Sequence, residues 1–248
     1  MYLNESLGEF ETVSLDDLKS VRLMNRMDIK FAFNSVKLIP LLKSMSGFYD
    51  VLDLHNSKTQ SYRSLYYDTL DRRFFLDHHN KRVNRNKVRF REYIDSGLFF
   101  LEIKLKNNKG KTIKKRIQVD KIPKKLSLEH IDYINNTIGH DLNLFPQHWI
   151  GFNRVTFVNK ERTERVTIDL DLHFSNDNNS GSFGDLVIAE IKQDRAGHTS
   201  YFKRLLKKMY ISPVRLSKYC MSTIELNSEL KYNRFKRTKL LINKLQKA

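Results

Sequence analysis

The chain has 248 residues, 40% of them hydrophobic and 11% aromatic, so it is long enough to bury a core and too apolar for a disordered chain. Lysine and arginine number 45 against 28 aspartate and glutamate, and the net charge of +17 predicts an acidic partner: nucleic acid, an anionic membrane surface, or a phosphorylated molecule or polymer. The single cysteine, Cys220, excludes an internal disulfide framework and a metal site built from several cysteines.

Targeting and linker signals are not visible in the sequence. The first residues do not form a basic start followed by an apolar run, and no apolar stretch reaches the ~18 residues that cross a bilayer. We therefore expect a cytoplasmic protein whose membrane contact is either peripheral or made through a partner. Nine glycines and four prolines are spread along the chain without a linker rich in them. We expect one domain over residues 1–226 and a basic helix over residues 227–248.

Most of the predicted elements are strands. Apolar and polar residues alternate in eight segments, at 29–33, 61–67, 86–93, 98–106, 112–119, 151–159, 165–174 and 186–192. Helical spacing is found at 15–20, 36–46, 126–137, 200–210 and 228–246. Connections such as Asp95-Ser96-Gly97 are too short for parallel crossovers. The pattern predicts an α+β fold, a closed eight-stranded antiparallel β-barrel with peripheral helices.

The C-terminal segment combines cations with apolar residues at helical spacing. The cations are Lys231, Arg234, Lys236, Arg237, Lys239, Lys244 and Lys247. Such a helix either packs on the body through its apolar side or docks onto anionic lipid or a membrane partner. The sequence leaves both alternatives open.

Charged residues occupy one face of several predicted strands. Because side chains alternate between the two faces of a strand, Arg89 and Arg91 share a face opposite Val88 and Phe90. The same alternation gives polar rows at Glu102, Lys104 and Lys106, at Lys114 and Arg116, at Arg165, Thr167, Asp169 and Asp171, and at Glu190 and Lys192. A solvated face is the usual reason for such a row in an antiparallel sheet. Repetition of the row with arginine, which suits bidentate phosphate contacts, favours a shared phosphate-binding channel.

Short motifs follow the same strands in a fixed order. They are Arg26-Met27-Asp28-Ile29-Lys30, Ser64-Leu65-Tyr66-Tyr67-Asp68-Thr69, Val88-Arg89-Phe90-Arg91, Leu101-Glu102-Ile103-Lys104, Lys114-Lys115-Arg116, Asn153-Arg154-Val155-Thr156-Phe157, Arg165-Val166-Thr167-Ile168-Asp169, Ala189-Glu190-Ile191-Lys192 and Leu216-Ser217-Lys218-Tyr219. In these motifs the sequence resembles the vacuolar transporter chaperone (VTC) domain, the polyphosphate-polymerase branch of the CYTH-like triphosphate tunnel superfamily. The resemblance runs from about Arg26 to Thr223.

The resemblance implies an enzyme that works inside an eight-stranded tunnel. With a divalent metal, Mn²⁺ or Mg²⁺, members transfer the γ-phosphate of ATP to a growing chain of inorganic polyphosphate. Family position assigns the basic lining of the tunnel to Lys30, Arg89, Arg91, Lys104, Lys114, Arg154, Arg165, Arg215 and Lys218. Glu190 matches the carboxylate that holds the metal.

These assignments give candidate roles in phosphoryl transfer. We expect Arg89, Arg91, Lys218 and Glu190 to carry catalysis, because this reaction asks the protein mainly to position groups and stabilise charge. The phosphate-binding candidates also include Arg116, Lys192 and Ser217, and Glu102 is a second candidate metal ligand. A hard cation needs one or two carboxylates and completes its shell with phosphate oxygens and water. We expect no side chain to act as nucleophile, since a terminal polyphosphate oxygen is already negative.

The first motif departs from that of CYTH hydrolases and cyclases, which begin with Glu-x-Glu-x-Lys. The matching residues here are Arg26, Asp28 and Lys30, so a cation replaces one carboxylate and a two-metal hydrolase site is disfavoured. Three functions stay open: a polyphosphate polymerase, a triphosphatase or polyphosphatase in the same tunnel, and a non-catalytic polyphosphate-binding module. No nucleic-acid recognition motif accompanies the charge, so we expect no specific nucleic-acid partner.

Overall fold

The computed structural model describes residues 2–20, 26–108, 112–194 and 200–247. Within these ranges the chain forms eight α-helices and eleven strands. The helices are α1 (Tyr2–Gly8), α2 (Leu15–Ser20), α3 (Leu38–Met45), α4 (Arg73–His79), α5 (Leu128–Ile138), α6 (Tyr201–Lys208), α7 (Lys218–Leu226) and α8 (Lys236–Gln246). The strands are β1 (Thr12–Val13), β2 (Arg26–Asn34), β3 (Tyr49–Leu52), β4 (Gln60–Asp68), β5 (Arg85–Tyr93), β6 (Leu98–Lys106), β7 (Thr112–Val119), β8 (Phe145–Asn159), β9 (Glu164–Ser175), β10 (Ser180–Ser182) and β11 (Leu186–Asp194).

The fold is α+β: the strands form one sheet with peripheral helices, and that sheet is open. Its main path runs β2-β11-β9-β8-β4-β5-β6-β7, with antiparallel neighbours throughout. Among the described residues no pairing joins β2 to β7, the two ends of this path. The prediction of a closed eight-stranded barrel is therefore wrong. All eight predicted strands exist, but the sheet does not close.

The free edge of β2 is covered by the segment between α6 and α7, which explains the opening. Phe31 forms an antiparallel bridge with Pro213, and the N–H of Val214 donates to the carbonyl of Lys30 at 2.8 Å. The segment occupies the edge that β7 would need for closure. β7 itself is exposed and carries consecutive cations at 114–116, which protect an edge strand from pairing.

The open sheet is strongly curved. On a flat sheet β2 and β6, which are six strand spacings apart in the order, would lie roughly 29 Å from each other. The charge of Lys30 on β2 nevertheless acts on Lys104 on β6, so the two ammonium groups lie much closer. The face that carries these two lysines is therefore concave, and we refer to it as the inner face.

Two apolar cores cover the outer face of the sheet. Helices α1, α3 and α6 pack on one half, where Leu41 of α3 and Phe202 of α6 share a core with Val166 of β9. Helix α5 packs on the other half, where Ile134 contacts the core that contains Phe90. These cores bury the apolar phase of the strands and leave their polar phase on the inner face.

One end of the inner face is filled by α7 and α8. Phe152 and Leu172 from the sheet belong to the same buried core as Tyr219 of α7 and Ile242 of α8. Strand β9 contributes Leu172 to this core because the strand is irregular near Asp171, whose φ is 52°. The irregularity shifts the alternation of side chains, so the apolar residues that follow it point inward. Helix α8 thus packs on the body through its apolar side.

The predicted elements agree with the structure in type more than in extent. The helix predicted at 228–246 begins at Lys236, after a 3₁₀ turn over Asn233–Phe235. The sequence did not predict α7, although this helix carries Lys218. The side chain of Arg26, in the first motif, lies outside the described residues. Among the described helices none has the length and apolar character needed to span a bilayer.

Candidate functional site

Cross-strand register brings the polar rows together on the inner face. Arg89 of β5 lies opposite Glu102 of β6 and Tyr66 of β4. At the other end of the sheet, Glu190 of β11 lies opposite Lys30 of β2. Directly opposed residues have Cβ atoms ~4.5–5.5 Å apart, so their charged side chains interact.

Glu102 holds two arginines of β5. The Nε and Nη2 atoms of Arg89 donate to one oxygen of Glu102 at 2.8 and 2.6 Å, and Nη1 donates to the Tyr66 hydroxyl at 2.8 Å. Arg91 is 7% exposed; its Nε donates to Ser64 at 3.2 Å and lies 3.9 Å from Glu102. Burial acts to raise the pKa of Glu102, but the two arginines outweigh it and lower the pKa to about 2. The ionised carboxylate therefore fixes both guanidinium groups.

Asp169 joins the sheet to α7. Arg154 donates to its two oxygens at 2.6 and 2.8 Å, and the ammonium of Lys218 donates to it as well. Burial acts to raise the pKa of Asp169, yet these two cations hold it well below its ordinary value. Lys218 is the first residue of α7, where the Ser217 hydroxyl caps the helix by accepting from the N–H of Cys220. Burial lowers the pKa of Lys218 to about 8 even beside Asp169.

Glu190 is the carboxylate with the loosest contacts. Its two oxygens lie 3.4 Å from the Lys30 ammonium and 3.5 Å from the Lys192 ammonium, respectively. Unlike Glu102 and Asp169, it accepts no arginine hydrogen bond among the described residues. Burial opposes its ionisation, but Lys192 and Lys30 keep its pKa well below the ordinary value. The carboxylate is therefore anionic and has capacity for a further ligand.

Lys87 and Lys104 add positive charge to the inner face without a carboxylate partner among the described residues. Lys87 donates to the Ser217 hydroxyl at 3.0 Å and lies opposite Lys104 in the sheet. Burial lowers the pKa of Lys104 to about 7, and the charges of Lys114 and Lys87 act in the same direction. Burial also lowers the pKa of Lys87. These cations repel one another in the ligand-free protein.

Together these residues form one charge cluster with an excess of cations. The cluster consists of the cations Lys30, Lys87, Arg89, Arg91, Lys104, Arg154, Lys192 and Lys218 and the carboxylates Glu102, Asp169 and Glu190. The cluster therefore holds eight cations and three anions, and Asp28, Lys114 and Arg116, which lie opposite Lys192, Lys104 and Glu102, border it on the same face. Like charges at low effective dielectric are costly, and a multivalent anion would relieve that cost.

This repulsion predicts an unusual pH dependence of stability. An unfolded lysine keeps its proton to about pH 10.4, whereas folded Lys104 releases it near 7, so between these values the unfolded chain binds more protons and stability rises with pH. We expect the free energy of unfolding in urea to rise by about 2 kcal/mol more in the parent than in Lys104→Met between about pH 7 and 9. An identical rise of the free energy of unfolding in both proteins would contradict the lowered pKa of Lys104.

Aromatic rings form part of the inner surface under the cations. The guanidinium groups of Arg91 and Arg154 lie 5.4 and 5.3 Å from the ring centroid of Tyr62. The Lys218 ammonium lies 4.1 Å from the ring centroid of Phe152. Cation–π contacts of this kind hold cations on an apolar support while leaving other donors directed away from the ring. These rings were not predicted as part of the site, although Tyr62 lies in the polar phase of its strand.

The other predicted site residues lie at the margin of the cluster or away from it. Lys114 is exposed but opposes Lys104, and its charge acts on that lysine. Arg116 is exposed and stacks over Phe100 at 4.6 Å. Arg165 donates to the backbone carbonyl of Leu18. Arg215 is exposed.

A divalent cation fits the cluster only with help from its substrate. No group of three or more histidine, cysteine, aspartate or glutamate side chains in the described ranges is placed to hold a metal ion. Mg²⁺ and Mn²⁺ need no such group when phosphate oxygens and water complete the shell around one or two carboxylates. Glu190 has the required capacity, whereas Glu102 is held by Arg89 at 2.6 Å.

The fold and the cluster define the class of protein. A curved antiparallel sheet that gathers excess cations on its inner face is suited to bind a linear polyanion. The chain belongs to the VTC domain family, whose model matches residues 25–227. Membership confirms the predicted family and supports an enzyme related to polyphosphate or triphosphate.

Comparison with solved structures gives distant neighbours. A candidate adenylyl cyclase from Hippeastrum, described as having a dominant triphosphatase activity, is 15% identical with a TM-score of 0.47 and covers 84% of this chain and 98% of its own. A candidate adenylate cyclase from Vibrio parahaemolyticus is 16% identical with a TM-score of 0.46, covering 81% and 99%. A protein of Pyrococcus horikoshii is 10% identical with a TM-score of 0.43, covering 86% and 99%. No curated protein sequence matches the chain significantly.

Proposed function

We propose that the chain is a polyphosphate polymerase that uses ATP and a divalent cation, Mn²⁺ or Mg²⁺. The observation that carries the proposal is the charge cluster, in which eight cations and three carboxylates of the described residues share one concave face. A triphosphate and a polyphosphate chain present the repeated negative oxygens that such a face requires.

The reaction is a transfer of one phosphoryl group. A terminal oxygen of polyphosphate forms a bond to the γ-phosphorus of ATP, the bond from that phosphorus to the β–γ bridging oxygen breaks, and ADP leaves. Negative charge spreads over the transferred group, so fixed cations stabilise the transition state. Arg89 and Arg154, held by Glu102 and Asp169 at 2.6–2.8 Å, are such fixed cations.

Lys104 and Lys218 respond to the substrate. Burial lowers their pKa values to about 7 and about 8, so each is partly neutral near neutral pH. Bound phosphate favours their charged forms and raises both pKa values. Binding therefore draws protons onto these lysines and strengthens the positive field where the polyanion lies.

Glu190 is the residue that would hold the metal. The cation, bound to Glu190 and to phosphate oxygens, would neutralise charge on the β- and γ-phosphates. Lys30 and Lys192 flank the same carboxylate at 3.4 and 3.5 Å, so they are placed to contact the phosphates around it.

The protonation states of the cluster support transfer over hydrolysis. Activation of water requires a general base with a pKa near the working pH. Glu102, Asp169 and Glu190 all have lowered pKa values, and burial lowers the pKa of nearby His78 to about 3. Lys104 and Lys218 have pKa values near 7 and 8 in the free protein, but bound phosphate raises both and keeps these lysines protonated. A terminal polyphosphate oxygen is already anionic and does not need that base.

Product analysis tests the proposal. We incubate the full chain with ATP, short polyphosphate and Mn²⁺ and follow all phosphorus products by gel and ³¹P NMR. We expect longer polyphosphate and one ADP for each phosphate added. Glu190→Gln should lose about a hundredfold or more of this turnover while polyphosphate binding persists.

Glu92→Gln is the matched control, because Glu92 pairs with Arg63 at 3.0 Å on the other face of the sheet. Its turnover should equal that of the parent. Release of orthophosphate without longer chains would make the protein a hydrolase. Polyphosphate binding with no consumption of ATP by the parent would make it a binding module.

A further inference from the structure

Helices α3 and α6 form a second cationic surface, on the outer face of the sheet. α3 and α6 lie side by side, since the Lys37 ammonium donates to the carbonyl of Met209 at 2.9 Å and the Tyr201 hydroxyl donates to the carbonyl of Ser44 at 3.4 Å. Their apolar sides belong to one core, through Leu41 among others. We call their outward side the α3–α6 surface.

The outward side of α6 is covered by cations. Phe202, Leu205 and Leu206 turn inward, and the cations on the opposite side, together with one from α3, are Lys203, Arg204, Lys207, Lys208 and Lys43. None of these five forms an ion pair with a carboxylate within the described ranges of the chain. The surface therefore presents positive charge that its own protein does not neutralise.

Exposed apolar side chains flank these cations at both ends of the helix pair. Tyr210 is 94% exposed and Val36 is 69% exposed at the end where Lys37 meets Met209. At the other end Phe48 is 49% exposed and stacks on Tyr201 at 3.9 Å. Cations flanked by exposed aromatic and aliphatic side chains are the combination that a lipid interface accommodates.

We propose that the α3–α6 surface docks on an anionic lipid bilayer. Lysine and arginine attract anionic headgroups, while exposed aromatic and aliphatic side chains enter the interfacial layer beside them. The combination of central cations with apolar residues at both ends matches that interface. The inner face lies on the other side of the sheet, so a docked protein keeps its charge cluster open to ATP and polyphosphate.

Vesicle sedimentation of the full chain tests the proposal. We compare vesicles of phosphatidylcholine alone with vesicles in which about a third of the lipid is phosphatidylserine. We expect binding to the anionic vesicles only, weakening as salt is raised because the attraction is screened. Lys207→Glu/Lys208→Glu should weaken partitioning at least about tenfold. Tyr210→Asn keeps a residue suited to the φ of 57° and should also weaken binding.

Two further variants keep the experiment decisive. Lys203→Glu/Arg204→Glu places its acids in the first turn of α6, where the helix dipole favours them. It therefore tests the same surface even if Lys207→Glu/Lys208→Glu misfolds. Lys236→Glu/Lys244→Glu makes the same charge change on exposed positions of α8 and should retain vesicle binding. Equal loss in the α8 variant, or vesicle binding that survives both α6 variants, would overturn the proposal. Loss of affinity for soluble polyphosphate in the α6 variants, with vesicle binding intact, would make the surface a polyanion site instead.

Discussion

Asp169→Asn is expected to lower the free energy of unfolding of the ligand-free protein by about 3 kcal/mol. Asp169 is 2% exposed and accepts hydrogen bonds from Arg154 and Lys218. Asparagine keeps the shape but removes the charge, so two largely buried cations lose their counter-ion. Urea denaturation monitored by circular dichroism measures the change.

Tripolyphosphate separates this electrostatic cause from simple misfolding. Because the phosphates pair with the released cations, saturating tripolyphosphate should stabilise Asp169→Asn more than the parent. Asp171→Asn is the control on the same strand, since Asp171 is exposed and its side chain accepts a hydrogen bond from Asn153 at 2.8 Å. It should change stability by less than about 0.5 kcal/mol. A destabilised Asp169→Asn that tripolyphosphate does not rescue would contradict this account of the cluster.

Strand alternation predicted most of the residues that share the inner face, but it was wrong at Asp171, where the irregularity in β9 breaks the period of two. The rows containing Arg89 and Arg91, or Glu190 and Lys192, follow from a period of two, and the structure places them on that face as expected. The roles assigned to these residues stay predictions. What alternation cannot give is the register between distant strands. The pairing of Arg154 with Asp169 depends on this register, so Asp169 was not predicted as a site residue.

Closure of the sheet was not predictable from local pattern. The decisive contacts join Phe31 and Lys30 to Pro213 and Val214, which lie more than 180 residues away in the chain. Nothing in residues 209–217 resembles a strand, so local pattern could not predict that this segment would cover the edge of β2. Short connectors predicted antiparallel neighbours correctly but do not determine whether the two ends meet.

Helix α7 escaped prediction for a different physical reason. Amphipathic periodicity identifies a helix that has one solvent-exposed side, but in α7 seven of the nine residues are buried. Serine and threonine at 222 and 223 lie inside and donate to backbone carbonyls of the preceding turn. The polar composition of the segment therefore conceals its burial.

Arg89→Ala is expected to weaken tripolyphosphate binding about a hundredfold. The guanidinium contributes charge-assisted hydrogen bonds to phosphate, each worth about 1.5–3 kcal/mol. Its loss also leaves Glu102, which Arg89 now holds at 2.6 Å, as an uncompensated anion facing the ligand. The double variant Arg89→Ala/Glu102→Gln removes both charges, so any weakening that remains in it reports the lost phosphate contact itself.

The most direct test that the inner face binds the polyanion is calorimetry. Tripolyphosphate is titrated into Arg89→Ala and, for comparison, into Arg63→Ala. Arg63 also pairs with a glutamate, at 3.0 Å, but it lies on the other face of the neighbouring strand β4. Both variants remove one positive charge. At about 0.15 M salt we expect the large loss for Arg89→Ala and less than about a twofold change for Arg63→Ala. Equal losses in the two variants would show that net charge, and not the inner face, attracts the phosphates.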